Sequence, residues 1–465
     1  MTFSVDIIGG GLAGSEAAFQ LADRGVPVRL YEMRPSTMTP VHTGGDCAEL
    51  VCSNSLKSMK PESAAGMLKS ELSALGSKLF AIALEHRVAA GGALAIDRQA
   101  FAADVTSKLD RHPYIRLIRE ERKLIPDGSD AVIIASGPLI ADDLAAELVR
   151  LTGKRGLSFF DAAAPIVMGD SLDHSRLFSQ SRYEGTEGGD YLNAAFSREE
   201  YEAFVKELCS AERVVAKDFE SKELFQACQP IEEIARKGFD APRFGPLKPV
   251  GITDPRTGRR PWAVVQLRAE NAAATAYNLV GFQTNLAFPE QRRVFRMIPG
   301  LEQAEFARYG VMHRNTFIDA PHVLLPGLRL REDTSERRLP PIYVAGQLAG
   351  TEGYCEAIMS GLFAALNIYA RSKGEVLAPL PAQTAFGALM AYATDPATQD
   401  YQPMHVSFGI MPPLAPPVKQ KEQRYRAYSR RGAAALDCYC QKLRASGVLP
   451  AACPPAPATQ DSLHG

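Results

Sequence analysis

The sequence predicts an α/β protein in which a Rossmann-like nucleotide-binding domain is interrupted by an α+β insertion domain. Residues 3–35 alternate strand, glycine turn, helix and strand, and further strands are expected at 115–118 and 131–137. A strand of the same apolar character returns near residue 342. This alternation of β and α elements predicts a parallel sheet with helices on its faces.

The elements of the first unit follow from their patterns. Residues 5–8 predict a buried strand, 15–22 a helix ending before Gly25, and 28–31 a second strand. A helix is expected at 100–109. From about Gly156, proline-rich and aromatic segments with strands near 263–270 and 276–285 indicate the insertion. The expected domains are therefore 1–155 and 330–448 for the two parts of the nucleotide-binding domain, 156–329 for the insertion and 449–465 for a disordered tail.

The composition indicates a globular, cytoplasmic protein. The chain has 465 residues, a formal net charge of −1 and eight cysteines, none in a CxxC or zinc-ligand spacing. No signal peptide precedes VDIIGGG, and no apolar run is long enough to span a membrane. The net charge excludes a uniformly basic nucleic-acid binder but leaves room for local basic patches.

A glycine turn is the first candidate cofactor site. It matches G-x-G-x-x-G between a strand and a helix, and it consists of Gly9, Gly10, Gly11, Leu12, Ala13 and Gly14. The first glycine of this pattern permits the tight turn, the second lets the backbone approach a diphosphate, and the third lets helix and strand pack closely. Glu32, at the end of the next strand, is expected to accept a hydrogen bond from a ribose hydroxyl.

A second candidate segment lies about 330 residues further on, in VAGQLAGTEGYCEAIMSGL at 344–362. Its proposed cofactor contacts are Gly346, Gln347, Glu352 and Gly353. Two such segments favour a tightly held FAD over an exchangeable NAD, and therefore a domain of the glutathione-reductase type. The alternative is that the small residues serve only close packing of a helix on the sheet.

Two cysteines have unusual surroundings. Cys52 lies in ELVCSNSLKS, where the polar neighbours could instead cap a helix. Cys228 precedes a predicted helix that starts at Pro230, and a helix N-terminus favours thiolate, although an inert small apolar residue is the alternative. Cys47 and Cys52 also have the CxxxxC spacing of flavoprotein disulfide reductases, which leaves that class or an NAD(P)H oxidase as an alternative.

Basic residues cluster near the C-terminus. The segment KQKEQRYRAYSRR at 419–431 interleaves Tyr425 and Tyr428 with arginines. Arginine suits phosphate contacts and tyrosine suits base stacking, so the segment favours an RNA-binding surface. A solvated helix face is the alternative.

Several segments occur in the order in which one known family has them, and they include GGGLAGSEAA, LYEMRP, ELVCSNSL, C-x-P-I-E, FGPLKPVG, GFQTNL, RYGVMHRNTFI and AGQ-x-x-G-x-EGY. Over about residues 3–415 the chain resembles the folate- and FAD-dependent tRNA (uracil-5-)-methyltransferases, the TrmFO family. The GidA proteins, which modify wobble uridines, are similar but lack the cysteine segments. His405 departs from the resemblance, because asparagine is expected there.

The resemblance implies a cytoplasmic enzyme that makes 5-methyluridine at position 54 in the tRNA T loop. It implies 5,10-methylenetetrahydrofolate as the carbon donor, reduced FAD as the reductant, and NADH or NADPH as the source of reducing equivalents. Its two working cysteines match Cys52 and Cys228. We expect Cys228 to add to uracil C6 and Cys52 to serve proton transfer, with the reversed roles left open. The alternatives are a GidA-type wobble-uridine modifier and a non-catalytic RNA-binding flavoprotein.

Overall fold

A computed structural model describes residues 3–153, 157–162, 164–183, 189–214, 229–310, 312–331, 339–398 and 401–450. The strands in these ranges are β1 Val5–Ile8, β2 Val28–Tyr31, β3 Ser55–Ser58, β4 Arg87–Val88, β5 Ala93–Ile96, β6 Ile115–Ile118, β7 Ala131–Ile134, β8 Leu157–Ala162, β9 Ile166–Met168, β10 Leu177–Ser179, β11 Tyr191–Phe196, β12 Ala263–Ala269, β13 Ala276–Leu279, β14 Phe306–Arg308, β15 Met312–Phe317 and β16 Ile342–Val344. The α-helices are α1 Leu12–Ala22, α2 Ala64–Ala74, α3 Lys78–Glu85, α4 Arg98–Arg111, α5 Asp142–Thr152, α6 Arg198–Ser210, α7 Ile231–Lys237, α8 Ala241–Phe244, α9 Phe288–Phe295, α10 Ala320–Val323, α11 Tyr354–Ser372, α12 Ala385–Thr394 and α13 Lys421–Ala445.

The nucleotide-binding part is built on a five-stranded parallel sheet in the order β16-β7-β1-β2-β6. Strands β1 and β7 are buried along their whole length, which explains their uninterrupted apolar runs. Strand β16, more than 300 residues after β1 in the chain, completes this sheet next to β7. The predicted α/β fold class, a Rossmann-like domain with an insertion, is confirmed.

The remaining strands form antiparallel sheets. The largest has six strands in the order β10-β11-β12-β13-β9-β14 and comes from the predicted insertion. Strands β3, β5 and β4 form a three-stranded sheet, and β8 pairs with β15. The sheet of β3 directly follows the Cys52 segment, so it positions one wall of the site described below.

Two apolar cores accompany these sheets. One surrounds the parallel sheet and helices α1 and α11, and the other lies between the six-stranded sheet and helices such as α6. Residues between Phe317 and Leu328 pack in the first core. The domain bounds stay a prediction, and this packing favours a return of the chain to the first core near residue 317, earlier than the expected 330.

Element bounds differ from the predictions in ways that have local causes. Helix α1 begins at Leu12, within the glycine turn, and α11 continues to Ser372, past the end of the candidate segment 344–362. Strand β13 ends at Leu279, and the residues after it form a loop that lines the site. Leu449 is buried in the first core although it was expected to begin the tail, and residues 451–465 lie outside the described ranges.

Candidate functional site

A cavity of about 650 Å³ opens at the carboxyl ends of the parallel strands. Its walls come from the glycine turn, the end of β2, the Cys52 segment, and the start of α11. Ligands of open α/β sheets bind outside the carboxyl ends of the strands, and pockets for small molecules and cofactors measure roughly 300–1,000 Å³. The cavity therefore has the position and the size of a cofactor site.

Nine of the eleven predicted cofactor residues line this cavity: Gly9, Gly11, Leu12, Ala13, Glu32, Gly346, Gln347, Glu352 and Gly353. The other two, Gly10 and Gly14, lie behind its wall. The structure thus brings together two segments that are far apart in sequence. Direct contacts of these residues with a cofactor stay a prediction.

The glycines of the turn have different surroundings. A methyl group at Gly14 would lie 1.9 Å from the carbonyl oxygen of Gly9, so α1 can approach β1 only with glycine there. Gly9 has φ +104° and would place a methyl group 2.5 Å from the carbonyl oxygen of Ala135. At Gly11 a methyl group would meet nothing within 4 Å, because this residue faces the cavity. The turn therefore presents bare backbone to a ligand at Gly11.

Glu32 is a buried carboxylate with fixed partners. Its Oε2 accepts a hydrogen bond from the Gly10 amide at 2.9 Å, and its Oε1 accepts from the Arg34 Nε at 2.9 Å. Burial acts to raise the pKa of Glu32, but the hydrogen bonds from Arg34 and Gly10 outweigh it and lower that pKa. Arg34 also binds Glu49, at 2.9 Å. The end of β2 thus carries a charged hydrogen-bond acceptor, Glu32. The sequence patterns did not reveal that Arg34 holds this carboxylate in place.

The second candidate segment, 344–362, shows both features that the sequence suggested, which are backbone exposed to the cavity and close packing of a helix. Gly346 and Gly353 have positive φ angles, +77° and +116°, and Gly353 leads into α11 with no side-chain cap. The Gln347 side chain donates a hydrogen bond to Glu352 at the cavity wall. Close packing is also present, because a methyl group at Gly361 of α11 would lie 2.0 Å from the Ala13 carbonyl oxygen. Small residues therefore serve helix packing and expose backbone to the cavity at the same time.

Cys52 lies in an irregular loop, half-buried, and lines the cavity. The amides of Cys52 and Ser53 both donate to the hydroxyl of Tyr354, at 2.9 and 3.0 Å. Burial raises the pKa of Tyr354, and the neighbouring Cys52 adds to the effect, so this phenol stays neutral. No helix begins at residues 53–55, where strand β3 starts instead, so the helix-cap alternative is wrong. Tyr354 belongs to the EGY motif, but the motif alone gave it no role.

Cys47 differs from Cys52 although the two are close in sequence. Its side chain is buried, and a methyl group at Gly10 would lie 3.0 Å from its Sγ. Burial raises the pKa of Cys47 to about 12. Both thiols are free cysteines. Cys47 is therefore a packing residue behind the glycine turn, and the structure gives no support to a CxxxxC redox pair.

Cys228 lies outside the described residues, but the chain that follows it is described. Helix α7 begins at Ile231. Pro230 is its N-cap, whereas the helix was predicted to start at Pro230 itself. The Ile231 amide donates to the carbonyl oxygen of Gln283 at 2.7 Å, and Gln283 lines the cavity. Glu232 accepts from the Asn285 amide at 2.6 Å, and its burial raises its pKa to about 7. The segment that follows Cys228 is thus anchored to a loop of the cavity wall.

Lys57 and Glu356, which the sequence did not single out, also line the cavity. Lys57 has φ +66° and lies 3.7 Å from the buried carboxylate of Glu356. His405 lies beside them, and burial lowers its pKa. The position at which the chain departs from the expected asparagine therefore belongs to the cavity wall rather than to a distant surface.

The structure of the basic segment 419–431 differs from the base-stacking surface that the sequence predicted. It forms the start of α13, where Tyr428 is buried and stacks on Phe408 with ring centroids 5.2 Å apart. Tyr425 contacts the same ring at 4.6 Å. Arg431 donates to the carbonyl oxygens of residues 412 and 413. Tyr428 therefore packs inside the protein and Tyr425 is half-buried against the same ring, so only part of the basic charge faces outward.

No group of three or more histidine, cysteine or carboxylate residues in the described ranges could hold a metal ion. Among the same residues, no helix combines the length and the apolarity needed to cross a bilayer.

Comparison with known proteins decides the family. The family model described as glucose inhibited division protein A matches residues 4–376. The TrmFO methylenetetrahydrofolate–tRNA-(uracil-5-)-methyltransferase of Symbiobacterium thermophilum is 52% identical over 432 residues, covering 92% of this chain and 95% of the relative. The corresponding protein of Geobacter sulfurreducens is 53% identical over 437 residues, covering 94% and 99%. The chain belongs to the GidA-related TrmFO family.

The fold is also similar to that of a solved structure. Aquifex aeolicus GidA aligns with a TM-score of 0.67 at 16% identity, covering 97% of this chain and 74% of that one. At this identity the likeness shows the fold alone. The family model matches residues 4–376, so the glycine turn, the Cys52 loop and the α11 segment all fall within the matched region.

Proposed function

We propose that the protein is a folate- and FAD-dependent tRNA methyltransferase that converts uridine 54 of the T loop to 5-methyluridine. The observation that carries this proposal is the joint presence of the glycine turn and the Cys52 loop on one cavity. Relatives about half identical in sequence are named for this reaction. We propose 5,10-methylenetetrahydrofolate as the carbon donor, NADH or NADPH as the external reductant, and a cytoplasmic location.

The cavity suits FAD on three observations. Gly11 leaves space above bare backbone, Glu32 is a fixed carboxylate at the end of β2, and the α11 N-terminus has uncapped amides. We propose that the nine cavity-lining residues hold the cofactor, while Gly10 and Gly14 shape the turn. When bound, reduced FAD supplies the hydride that brings the transferred carbon to the methyl level.

The two cysteines carry the chemistry at uracil. Uracil C5 is a poor nucleophile until a thiolate adds at C6 and turns the ring into an enolate. We assign that addition to Cys228. C5 of the enolate then forms a bond to the one-carbon unit, which leaves its carrier nitrogen, Cys52 takes the C5 proton, and the Cys228 thiolate leaves C6. Cys52 lies at the cavity wall, as a group acting beside a flavin must. The reverse assignment uses the same two thiols.

The test begins with a tRNA transcript that carries no modifications. The purified protein, FAD, 5,10-methylenetetrahydrofolate and NADPH should convert one uridine of the T loop to 5-methyluridine, identified by mass spectrometry of ribonuclease fragments. The protein should also show the absorption band of oxidised flavin. Modification at the wobble position would instead indicate a GidA-type activity, and a colourless protein without activity would overturn the proposal.

A further inference from the structure

The loop at 50–54 has no regular secondary structure, and side chains from distant segments hold its backbone. Arg98 Nη1 donates to the carbonyl oxygen of Leu50 at 3.0 Å. Arg308 Nη2 lies 3.5 Å from the carbonyl oxygen of Cys52. Together with the two amide contacts of Tyr354, these interactions fix the loop from both sides.

One of these side chains connects the loop to the six-stranded sheet. Arg268, in β12, donates from Nε to the Asn54 Oδ1 at 2.6 Å and from Nη2 to the Ser53 Oγ at 2.9 Å. The Asn54 amide group returns a hydrogen bond to the carbonyl oxygen of Ala269 at 2.9 Å. Asn54 is fully buried and Arg268 is 6% exposed. The residues directly after Cys52 are therefore bound to β12 by three hydrogen bonds away from solvent.

The charge of Arg268 calls for an explanation. Its partners in the loop are neutral, and the nearby carboxylate of Glu270 is bound at 2.5 Å by a different guanidinium, that of Arg98. A buried guanidinium is costly to desolvate, and apolar residues often stabilise a core better than buried charges. The planar fork of arginine, however, reaches two acceptors at fixed geometry, which a lysine ammonium does not. The two hydrogen bonds of Arg268 are therefore better suited to fixing the position of the loop than to stabilising the fold.

We propose that Arg268 is a positioning residue, which fixes the Cys52 loop against the six-stranded sheet so that the Cys52 thiol stays at the cavity wall. The inference rests on the proposed function, because it takes Cys52 as a catalytic thiol. Arg268 does not line the cavity, so it acts through Ser53 and Asn54 rather than on a ligand.

The test is Arg268→Lys, which keeps the charge and removes the fork. Displacement of a catalytic group by about 1 Å can cost 10²-fold in rate, so we expect kcat for tRNA methylation to fall at least about 10-fold. The KM for tRNA and the FAD content should stay within about twofold, because the cavity wall is otherwise intact. Hydrogen exchange of the peptide spanning residues 50–55 should be faster at least about 10-fold.

The matched control is Arg182→Lys. Arg182 binds the Oε1 of Gln266, in β12, at 2.8 Å and the carbonyl oxygen of Val250 at 2.9 Å, so it also holds β12 but through partners outside the Cys52 loop. Its kcat and its exchange at 50–55 should match the wild type. If Arg268→Lys does not fold, Ser53→Ala, which removes the Nη2 contact and the hydrogen bond from the Ser55 amide to the Ser53 Oγ, should show a smaller change in the same direction.

Wild-type kcat and wild-type exchange in Arg268→Lys would overturn the inference and leave the proposed function standing. A fall in kcat in both arginine variants would also overturn it, because the effect would then belong to the sheet in general. If the wild-type protein methylated no tRNA, the proposed function would fail, and hydrogen exchange would still decide whether Arg268 holds the loop.

Discussion

The glycine turn and the Cys52 loop face the same cavity, but the chain holds them in place by different means. The turn is fixed by its own backbone: Gly14 packs on Gly9, and Gly10 binds Glu32 at the end of the adjacent strand. The Cys52 loop is fixed by Arg98, Arg268, Arg308 and Tyr354, which come from elsewhere in the chain. Local geometry therefore positions the cofactor side, and long-range polar contacts position the proposed thiol.

This difference implies that substitutions in the two regions have different consequences. A change in the turn should affect folding or cofactor retention, since its residues set the packing of α1 against the parallel sheet. A change in the loop should affect the reaction first, since polar contacts from distant side chains hold the residues around Cys52. Each of the following predictions tests one side of this comparison.

The largest effect is expected for Cys52→Ala. Removing an acting nucleophile or base costs at least about 10²-fold, so methyl transfer should fall by that factor or more. FAD should stay bound, because the glycine turn and the α11 segment are unchanged. Single-turnover methylation and the flavin absorbance of the purified protein measure the two quantities.

A tRNA with 5-fluorouridine at the target site separates the roles of the two thiols. The fluorine blocks loss of the C5 substituent and traps the C6 adduct. Cys52→Ala should still form this covalent complex, and Cys228→Ala should not. The opposite pattern would exchange the two roles, while near-normal methylation by both variants would show that neither cysteine is catalytic.

On the other side of the comparison, Gly11→Ala and Gly14→Ala should differ from each other. A methyl group at Gly14 would overlap the Gly9 carbonyl, and overpacking of this kind costs about 1–3 kcal/mol or more of folding free energy. A methyl group at Gly11 meets only the cavity, so this variant should fold normally but bind FAD at least about 10-fold more weakly, equal to ~1.4 kcal/mol.

Thermal unfolding of the cofactor-free variants and titration with FAD measure these effects. If Gly11→Ala kept full flavin occupancy, the dinucleotide would have to lie elsewhere in the protein. If Gly14→Ala were as stable as the wild type, the close approach of α1 to β1 would not limit the turn as the structure indicates.

A smaller effect is expected for Tyr354→Phe, which leaves the Cys52 and Ser53 amides without their acceptor. Each lost hydrogen bond is worth about 1 kcal/mol, so exchange of these two amides should be faster by roughly 10-fold or more. Tyr201→Phe is the control, because Tyr201 donates to the carbonyl oxygen of Phe239 in the second core, away from the loop. Unchanged exchange at Cys52 in Tyr354→Phe would show that the arginines alone hold the loop.

The same contrast explains what sequence could reveal. Strands β1, β2, β6 and β7 and the position of the glycine turn between strand and helix follow from short-range patterns, because apolar runs and glycine spacing act within a few residues. The contacts of Arg268 with Asn54 span more than 200 residues, and no local pattern encodes such a pair. The burial of Tyr428 was missed for the same reason, because Phe408, on which it stacks, belongs to a separate segment. Only the resemblance to known relatives directed attention to Cys52 and Cys228 as a pair.

The smallest effect is expected for the basic residues at the start of α13. These residues belong to neither the glycine turn nor the Cys52 loop, and changing them should leave both unchanged. Reversing Arg424, Arg426, Arg430 and Arg431 together would also break internal contacts, because Arg426 pairs with Glu422 and Arg431 holds the segment at 412–413. We therefore choose Lys421, Arg424 and Arg430, each changed to Glu. Lys421 and Arg424 contact the ring of Tyr425, and Arg424 the carbonyl oxygen of Lys419, so these contacts lie within the segment itself. Each lost phosphate contact lowers the slope of log affinity against log salt by about 1, so affinity for tRNA should fall several-fold with a shallower slope.

Oxidation of NADPH without tRNA should be unchanged, since none of the three substituted residues lines the cavity. An unaltered affinity and slope would place the tRNA contacts on the insertion instead.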